Sequence, residues 1–146
     1  MSVYSSAPAV KAKLIELLTA RVPLAGVQIE WAHPGKNLER EAVFFGRVRG
    51  SEKWASLGAL AKDEDYIADI VVMVVEPGTD AQAAEERMWE IHAQIEACLR
   101  ENPTLEDTVD VHVGLGPFEQ ETYEEGDGYV CVLVAGLQTR NRKRLT

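Results

Sequence analysis

The chain has little of what marks a secreted, membrane-bound or disulfide-linked protein. It holds two cysteines in 146 residues, Cys98 and Cys131, and both lie in apolar periodic segments where a thiol behaves as a small buried hydrophobe. Its first residues show no basic segment followed by an apolar one, and no apolar run approaches the roughly 18 residues of a membrane helix. We therefore expect no disulfide framework, no membrane partner, and a soluble protein made in a reducing cytoplasm.

Positive charge is also scarce. The 15 Lys and Arg residues face 24 Asp and Glu residues, which gives a formal net charge of −9. Binding to nucleic acid phosphates requires clustered bases that outweigh the acids around them, so this composition excludes a general nucleic-acid binder. Only the C-terminal RNRKR run, residues 140–144, is locally basic.

Motifs that would indicate catalysis or metal binding are missing. The three histidines, His33, His92 and His112, have no second His or Cys at ligand spacing. The GLGP segment at 114–117 resembles half of a phosphate-binding loop, but Pro117 stands where a helix should begin. No serine sits in a G-x-S-x-G elbow. These absences predict a protein without enzymatic activity, metal or cofactor.

What the chain does contain is alternating helix and strand patterns. Leu14, Leu17 and Leu18 recur at helical spacing within residues 8–21, and Val27, Ile29 and Trp31 alternate with polar residues as in a half-buried strand. A second strand is predicted around residues 40–49, where Arg47 and Arg49 alternate with Val48.

Residues 65–78 are apolar at both alternating sets of positions, which predicts a central strand covered on each side. Thr79 and Gln82 then form a predicted capping box at the start of a helix that ends near residue 102. Two strands follow, around residues 108–116 and 129–137. The order α-β-β-β-α-β-β predicts an α+β domain spanning residues 1–146, with two main helices on a mixed, mainly antiparallel sheet of about five strands.

Three features point to protein contacts. An apolar flap in a connecting loop carries Trp54, Leu57 and Leu60; an acidic turn follows Phe118; and a basic tail begins near residue 138. Aromatic residues and complementary charges are typical of interfaces, although a solvated acidic face and a flap folded on its own core remain open as alternatives. The candidate interface residues are Trp54, Leu57, Leu60, Phe118, Glu119, Glu121, Glu124, Glu125, Asp127, Arg140, Arg142, Lys143 and Arg144.

The stretches SAPAVKAKLIELL, VQIEWAHPGKNLEREAVFFGRV and GTDAQAAEERMWEI, in this order, resemble the tail terminator (tail completion) proteins of long-tailed bacteriophages of actinobacteria. The resemblance covers residues from about 5 to about 137 and depends on linear pattern and element order. That family has no active-site residues to carry over, so the candidate interface above depends on charge and apolar character alone.

The resemblance implies a structural virion protein at the tail-neck junction. Such proteins form a homohexameric ring on the last ring of the tail tube, end tube growth and join the tail to the head. The implied partners are other copies of the chain, the major tail tube protein and the head-neck connector or stopper protein, with genomic DNA only passing through the channel. Two alternatives stay open: another neck or tail-completion component, and a small dimeric α+β domain that binds a ligand or regulates.

Overall fold

The computed structural model describes residues 4–56, 58 and 60–144. These described residues form two helices, five strands and two short 3₁₀ turns at Val22–Leu24 and Gly35–Asn37. The helices are α1 (Ala7–Thr19) and α2 (Ala81–Glu101), and the strands are β1 (Gln28–Glu30), β2 (Glu41–Ser56), β3 (Ala61–Glu76), β4 (His112–Glu125) and β5 (Gly128–Arg144).

The five strands form one sheet in the order β1-β2-β3-β5-β4. The short β1 pairs parallel to β2, whereas the other three pairings are antiparallel. The predicted α+β class, the element order and the mixed, mainly antiparallel sheet are therefore confirmed.

The central strand β3 is covered on one face only. Ile70, Val72 and Val74 lie with α1 and α2 in the hydrophobic core, and this side of the sheet is called the helix face below. The alternate residues, such as Val71 and Met73, are only partly buried. Within this chain the prediction of cover on both sides is confirmed for the helix face alone, and cover of the other face stays a prediction.

The helices follow their apolar periodicity. Val10, Leu14 and Leu18 bury one side of α1, and Met88, Ile91 and Ile95 bury one side of α2. The predicted capping box was wrong in its residues. Asp80 is the N-cap of α2 and accepts a hydrogen bond from the Ala83 N–H at 2.9 Å, while the Gln82 amide donates to Glu86.

The predicted flap is the end of a long hairpin. Strand β2 continues to Ser56 and β3 begins at Ala61, with Trp54 opposite Lys62. Leu60 lies in the connecting turn with φ +49. No described helix packs on this end of the hairpin, so many of its residues are polar. The sequence of such a hairpin resembles that of a loop, and the segment was therefore predicted as a flap.

Both charged segments are strands as well. Residues 119–125 belong to β4, and the two-residue connection to β5 begins at Gly126, whose φ of +62 suits the tight hairpin turns that favour glycine. The basic segment was expected to be a tail. Instead, residues 140–144 continue β5 and pair with residues 61–65 of β3.

Candidate assembly surface

The sheet face opposite the helices is called the open face below, and five of the candidate interface residues lie on it: Glu119, Glu121, Glu125, Arg140 and Arg142. Its centre is apolar. Val71 and Met73 of β3 stand opposite Val134 and Val132 of β5, and all four side chains are only partly buried. A groove of about 440 Å³ runs beside Val132 and Val134, so this centre is accessible to a partner.

Strand β4 gives the open face an acidic border. Glu119, Glu121 and Glu125 share the face of their cross-strand neighbours Val134, Val132 and Gly128, and all three are exposed. No ion pair of the described residues involves these glutamates, Glu124 or Asp127. Glu124 differs because it lies on the helix face, where it accepts a 3.4 Å hydrogen bond from the Tyr129 hydroxyl. The acidic border therefore has no neutralising partner within the described chain.

The basic residues of β5 do have partners in their own chain. Arg140 pairs with Asp65 and Arg142 with Asp63, each at 2.8 Å, and Lys143 pairs with Glu52. The hydrogen bond from Arg142 lowers the pKa of Asp63. Lys143 is buried, so it presents little charge to another molecule. The predicted contact between this segment and a neighbouring acidic surface stays a prediction, with the added fact that its described charges are already compensated.

A second basic group was not selected from the sequence. Arg47 and Arg49 on β2 are exposed, and no described ion pair involves either. Arg49 stands opposite Ile67 on the open face, and Arg47 lies in the bulge between Phe45 and Val48. The alternation of both arginines with Val48 was the available signal, but without the sheet order nothing placed them across from the acidic border.

Two apolar residues at the end of the β2–β3 hairpin are exposed, as expected for a segment that contacts a partner. Trp54 is 49% exposed and Leu60 is 41% exposed. The Lys62 ammonium lies 4.9 Å from the centre of the Trp54 ring, on the helix-face side of the sheet but beyond the core. Leu57 and the side chain of Arg144 lie outside the described residues.

Phe118 is the candidate with the clearest contact inside the chain. Its ring meets Trp89 of α2 edge to face at 5.1 Å between centroids, although 57% of Phe118 remains exposed. Trp89 also donates a 3.0 Å hydrogen bond to Gln120, so β4 is attached to α2 through its helix face. Phe118 thus contributes to this attachment whether or not a partner also contacts it.

The described residues contain no group of three His, Cys, Asp or Glu side chains that would hold a metal ion. Burial beside Trp89 lowers the pKa of His92. Neither described helix is both long and apolar enough to span a bilayer.

Comparison with solved structures shows several structural likenesses, one of which is to a virion chain. A chain from the virion of a native gene transfer agent particle matches with a TM-score of 0.54 and 16% sequence identity, over 94% of this chain and 99% of that chain. At this identity the likeness shows a shared fold. No protein-family model and no curated protein matches the chain.

Proposed function

We propose that this protein is a structural component of a phage-like virion that forms a hexameric ring at the end of the tail tube. In this role it ends tube growth, joins the tail to the head-neck connector and leaves a channel for DNA. It binds no cofactor and catalyses no reaction. The shared fold with a virion chain over nearly the whole length of both chains supports the proposal, as does the sequence resemblance to tail terminators.

The observation that carries the proposal is the open face. A single chain leaves a row of valines and Met73 partly bare, bordered by Glu119 and Glu121 on one side and Arg49 on the other. An apolar centre with a charged rim is the usual anatomy of an interface. Opposite charges on two different sides of one chain favour heterologous contacts, which close into a ring when the rotation between neighbours allows it.

The test is to remove the protein from its particle and image the result. Without it, tails should exceed their normal length and fail to join heads. With it, a particle imaged at side-chain resolution should contain six copies at the tail end, each neighbour contact burying well above roughly 1,000 Å². A monomer or dimer at that position, or tails of normal length joined to heads without the protein, would refute the proposal.

The open face also favours one competing function. Two chains stacked face to face would cover the same valines, as in a small dimeric ligand-binding or regulatory domain. Native mass spectrometry together with imaging of the particle separates the ring from the dimer. A stable dimer in solution that is absent from the particle fits only the competing function. Another neck component would instead form a ring at a different level of the particle.

A further inference from the structure

One edge of the sheet is unpaired along much of a strand. β4 is the last strand, so its outer edge has no strand partner in the described chain. Near its start the Val113 N–H donates to the Pro103 carbonyl at 2.9 Å, and Pro117, which has no N–H, lies at a register irregularity just before Phe118. From Phe118 to Glu125 the strand pairs regularly with β5 on its inner side. The outer backbone N–H and C=O groups of this part are available to another strand. Residues 118–125 are called the free edge below.

The open-face side of the free edge carries acids and no bases. Glu119, Glu121 and Glu125 are exposed on this side, together with Tyr123. None of the three glutamates takes part in an ion pair of the described residues. A second copy of the same edge would place acid beside acid, which opposes pairing of two β4 edges. A strand with Lys or Arg at alternate positions would instead place opposite charges directly across from Glu119 and Glu121.

The helix-face side of the free edge begins with an apolar residue. Phe118 is 57% exposed although its ring contacts Trp89, and Leu115 precedes it on the same face. A groove of about 450 Å³ between α2 and the start of β4 is lined in part by Leu99, Pro103 and Leu115. The exposed part of Phe118 therefore lies near apolar surface that an added strand would cover. An apolar side chain suits the position across from Phe118 better than a charged one, since burying a charge there is costly.

These two sides define a sequence pattern for the partner strand. In an antiparallel pairing, the partner residues across from Glu121, Gln120, Glu119 and Phe118 follow one another along the partner chain. Their pattern is basic, any residue, basic, apolar, because successive residues of a strand point to opposite faces. In a parallel pairing the pattern is apolar, basic, any residue, basic. Four consecutive residues of this kind distinguish a specific partner from a general basic surface.

The basic segments of this chain do not supply such a strand. Lys or Arg residues two positions apart occur at 11 and 13, at 47 and 49, and between 140 and 144. The first pair lies in α1, and the last segment already pairs with β3. Arg47 and Arg49 lie on β2, but the residues on either side of this pair are glycines. The register also places Arg49 level with Gly114, so a copy rotated about an axis along the strands does not bring Arg49 to the free edge.

We propose that the free edge binds an extended segment of a different virion protein. The segment adds a strand to the sheet, places two Lys or Arg side chains against Glu119 and Glu121, and places an apolar side chain against Phe118. This inference rests on the proposed function for the location of the partner in a virion. The valines and Arg49 of the open face stay available to a neighbouring copy in the ring.

Photo-cross-linking in the assembled particle tests this contact. Tyr123→p-benzoylphenylalanine replaces an exposed aromatic residue of the free edge by one that links to adjacent chains under light. Mass spectrometry of the linked peptides should identify a segment of a different virion protein that contains the four-residue pattern. The matched control is the same replacement of Trp31, which is exposed and follows β1 at the other side of the sheet, and it should not link to that segment. Links from position 123 only to other copies, or only to segments without the pattern, would overturn the proposal.

Charge reversal tests the roles of the two glutamates. Glu119→Lys with Glu121→Lys, added to the cross-linking variant, should reduce the link to the partner segment at least about tenfold. The matched control, Glu86→Lys with Glu124→Lys, changes the net charge equally on α2 and on the helix face of β4, and should leave the link unchanged. Changing the two basic residues of the partner segment to Glu should restore the link to the reversed variant, which misfolding of that variant would not allow. An undiminished link in the reversed variant would contradict the assigned roles.

The outcomes separate this contact from the proposed ring. Six-copy rings at the tail end, without a link from position 123 to a segment of this pattern, would overturn the strand contact and leave the proposed function standing. The expected link in a particle where the protein forms no ring at the tail end would support the strand contact and overturn the proposed function.

Discussion

At the level of single residues, Glu64 shows how a buried charge attaches α1 to the sheet. The side chain is 2% exposed and accepts hydrogen bonds from the Ser6 N–H at 2.8 Å, the Ser6 hydroxyl at 2.6 Å and the Asn141 amide at 3.1 Å. Because Ser6 donates its hydroxyl proton to Glu64, the Tyr66 hydroxyl at 2.9 Å donates to Ser6. The carboxylate therefore holds the start of α1 against β3 and β5.

This arrangement predicts a pH dependence of stability. Burial alone raises the pKa of Glu64, but the hydrogen bonds from Ser6 and Asn141 outweigh burial and hold the pKa below its usual value. The contribution to the free energy of unfolding is thus complete above the unfolded pKa of about 4.3 and declines as the pH falls through the lower folded pKa. Urea unfolding between neutral and acid pH measures this decline.

Glu64→Gln should remove that part of the pH dependence and lower the free energy of unfolding at neutral pH by about 1 to 3 kcal/mol, because the amide leaves buried donors poorly matched. Glu125→Gln, on the exposed end of β4, is the matched control and should leave the profile unchanged. If Glu64→Gln retains the wild-type decline at acid pH, the carboxylate is not responsible for it.

Phe118 allows a second test at single-residue level. Phe118→Ala removes the edge-to-face contact with Trp89 and should lower the free energy of unfolding by about 1 kcal/mol. Phe118→Leu keeps apolar contact and should lose less. Thermal unfolding of the isolated chain measures both. Unchanged stability together with lost assembly would instead place the role of Phe118 in a partner contact, as the sequence alone suggested.

Among the elements, α2 and β3 were predicted well because their apolar periodicity extends over many residues. Strand β4 (His112–Glu125) was predicted only as far as residue 116, because the glutamates that follow suggested a solvated turn. Glu119 and Glu121 do alternate with Gln120 and Thr122, which hydrogen-bond or contact the α2 side, so a period-two signal was present. Charges on an uncovered strand face satisfy the same hydration requirement as charges in a loop, and composition alone does not separate the two.

Substitution of Trp54 tests whether the end of the β2–β3 hairpin contacts its own chain or a partner. Trp54→Ala should lower the free energy of unfolding of the single chain by less than about 1 kcal/mol, because Trp54 is half exposed and lies outside the hydrophobic core, with the Lys62 ammonium over its ring. Assembly should nevertheless weaken if the hairpin end contacts a neighbour or the tube. Unfolding curves and ring or tail assembly are measured on the same preparations.

Trp89→Ala is the matched control for this hairpin substitution. Trp89 is partly buried between α2 and β4, so its loss should destabilise the chain clearly more than the loss of Trp54. Comparable destabilisation by both substitutions would show that Trp54 packs on its own chain, and normal assembly of Trp54→Ala would remove the hairpin end from the interface.

For the whole molecule, net charge predicts the behaviour toward DNA. One chain carries −9, and six copies carry six times that charge, or −54. Arg140 and Arg142 of β5 are paired with Asp65 and Asp63, so the charges of these two arginines are compensated within the chain. We expect no measurable binding to duplex DNA at physiological salt. A gel shift at low micromolar protein with a steep salt dependence would contradict this.

The order of elements and the central position of β3 followed from apolar pattern, whereas the one-sided packing did not. Both alternate sets of β3 residues are apolar, and Val71 and Val72 look equivalent in the sequence. Only the position of both helices on one side makes Val72 core and Val71 surface. A strand with one exposed apolar face therefore has the same sequence pattern as a strand that is buried on both faces.

The two cysteines have a practical consequence for experiments on this chain. Cys98 and Cys131 are 1% and 0% exposed, and burial raises the pKa of both thiols, so neither is available as a reactive thiolate in the folded state. The protein should tolerate handling without reductant. A cysteine introduced on the hairpin or along β4 would be the one readily labelled thiol, so fluorescent or spin probes can follow those sites with both native cysteines left in place.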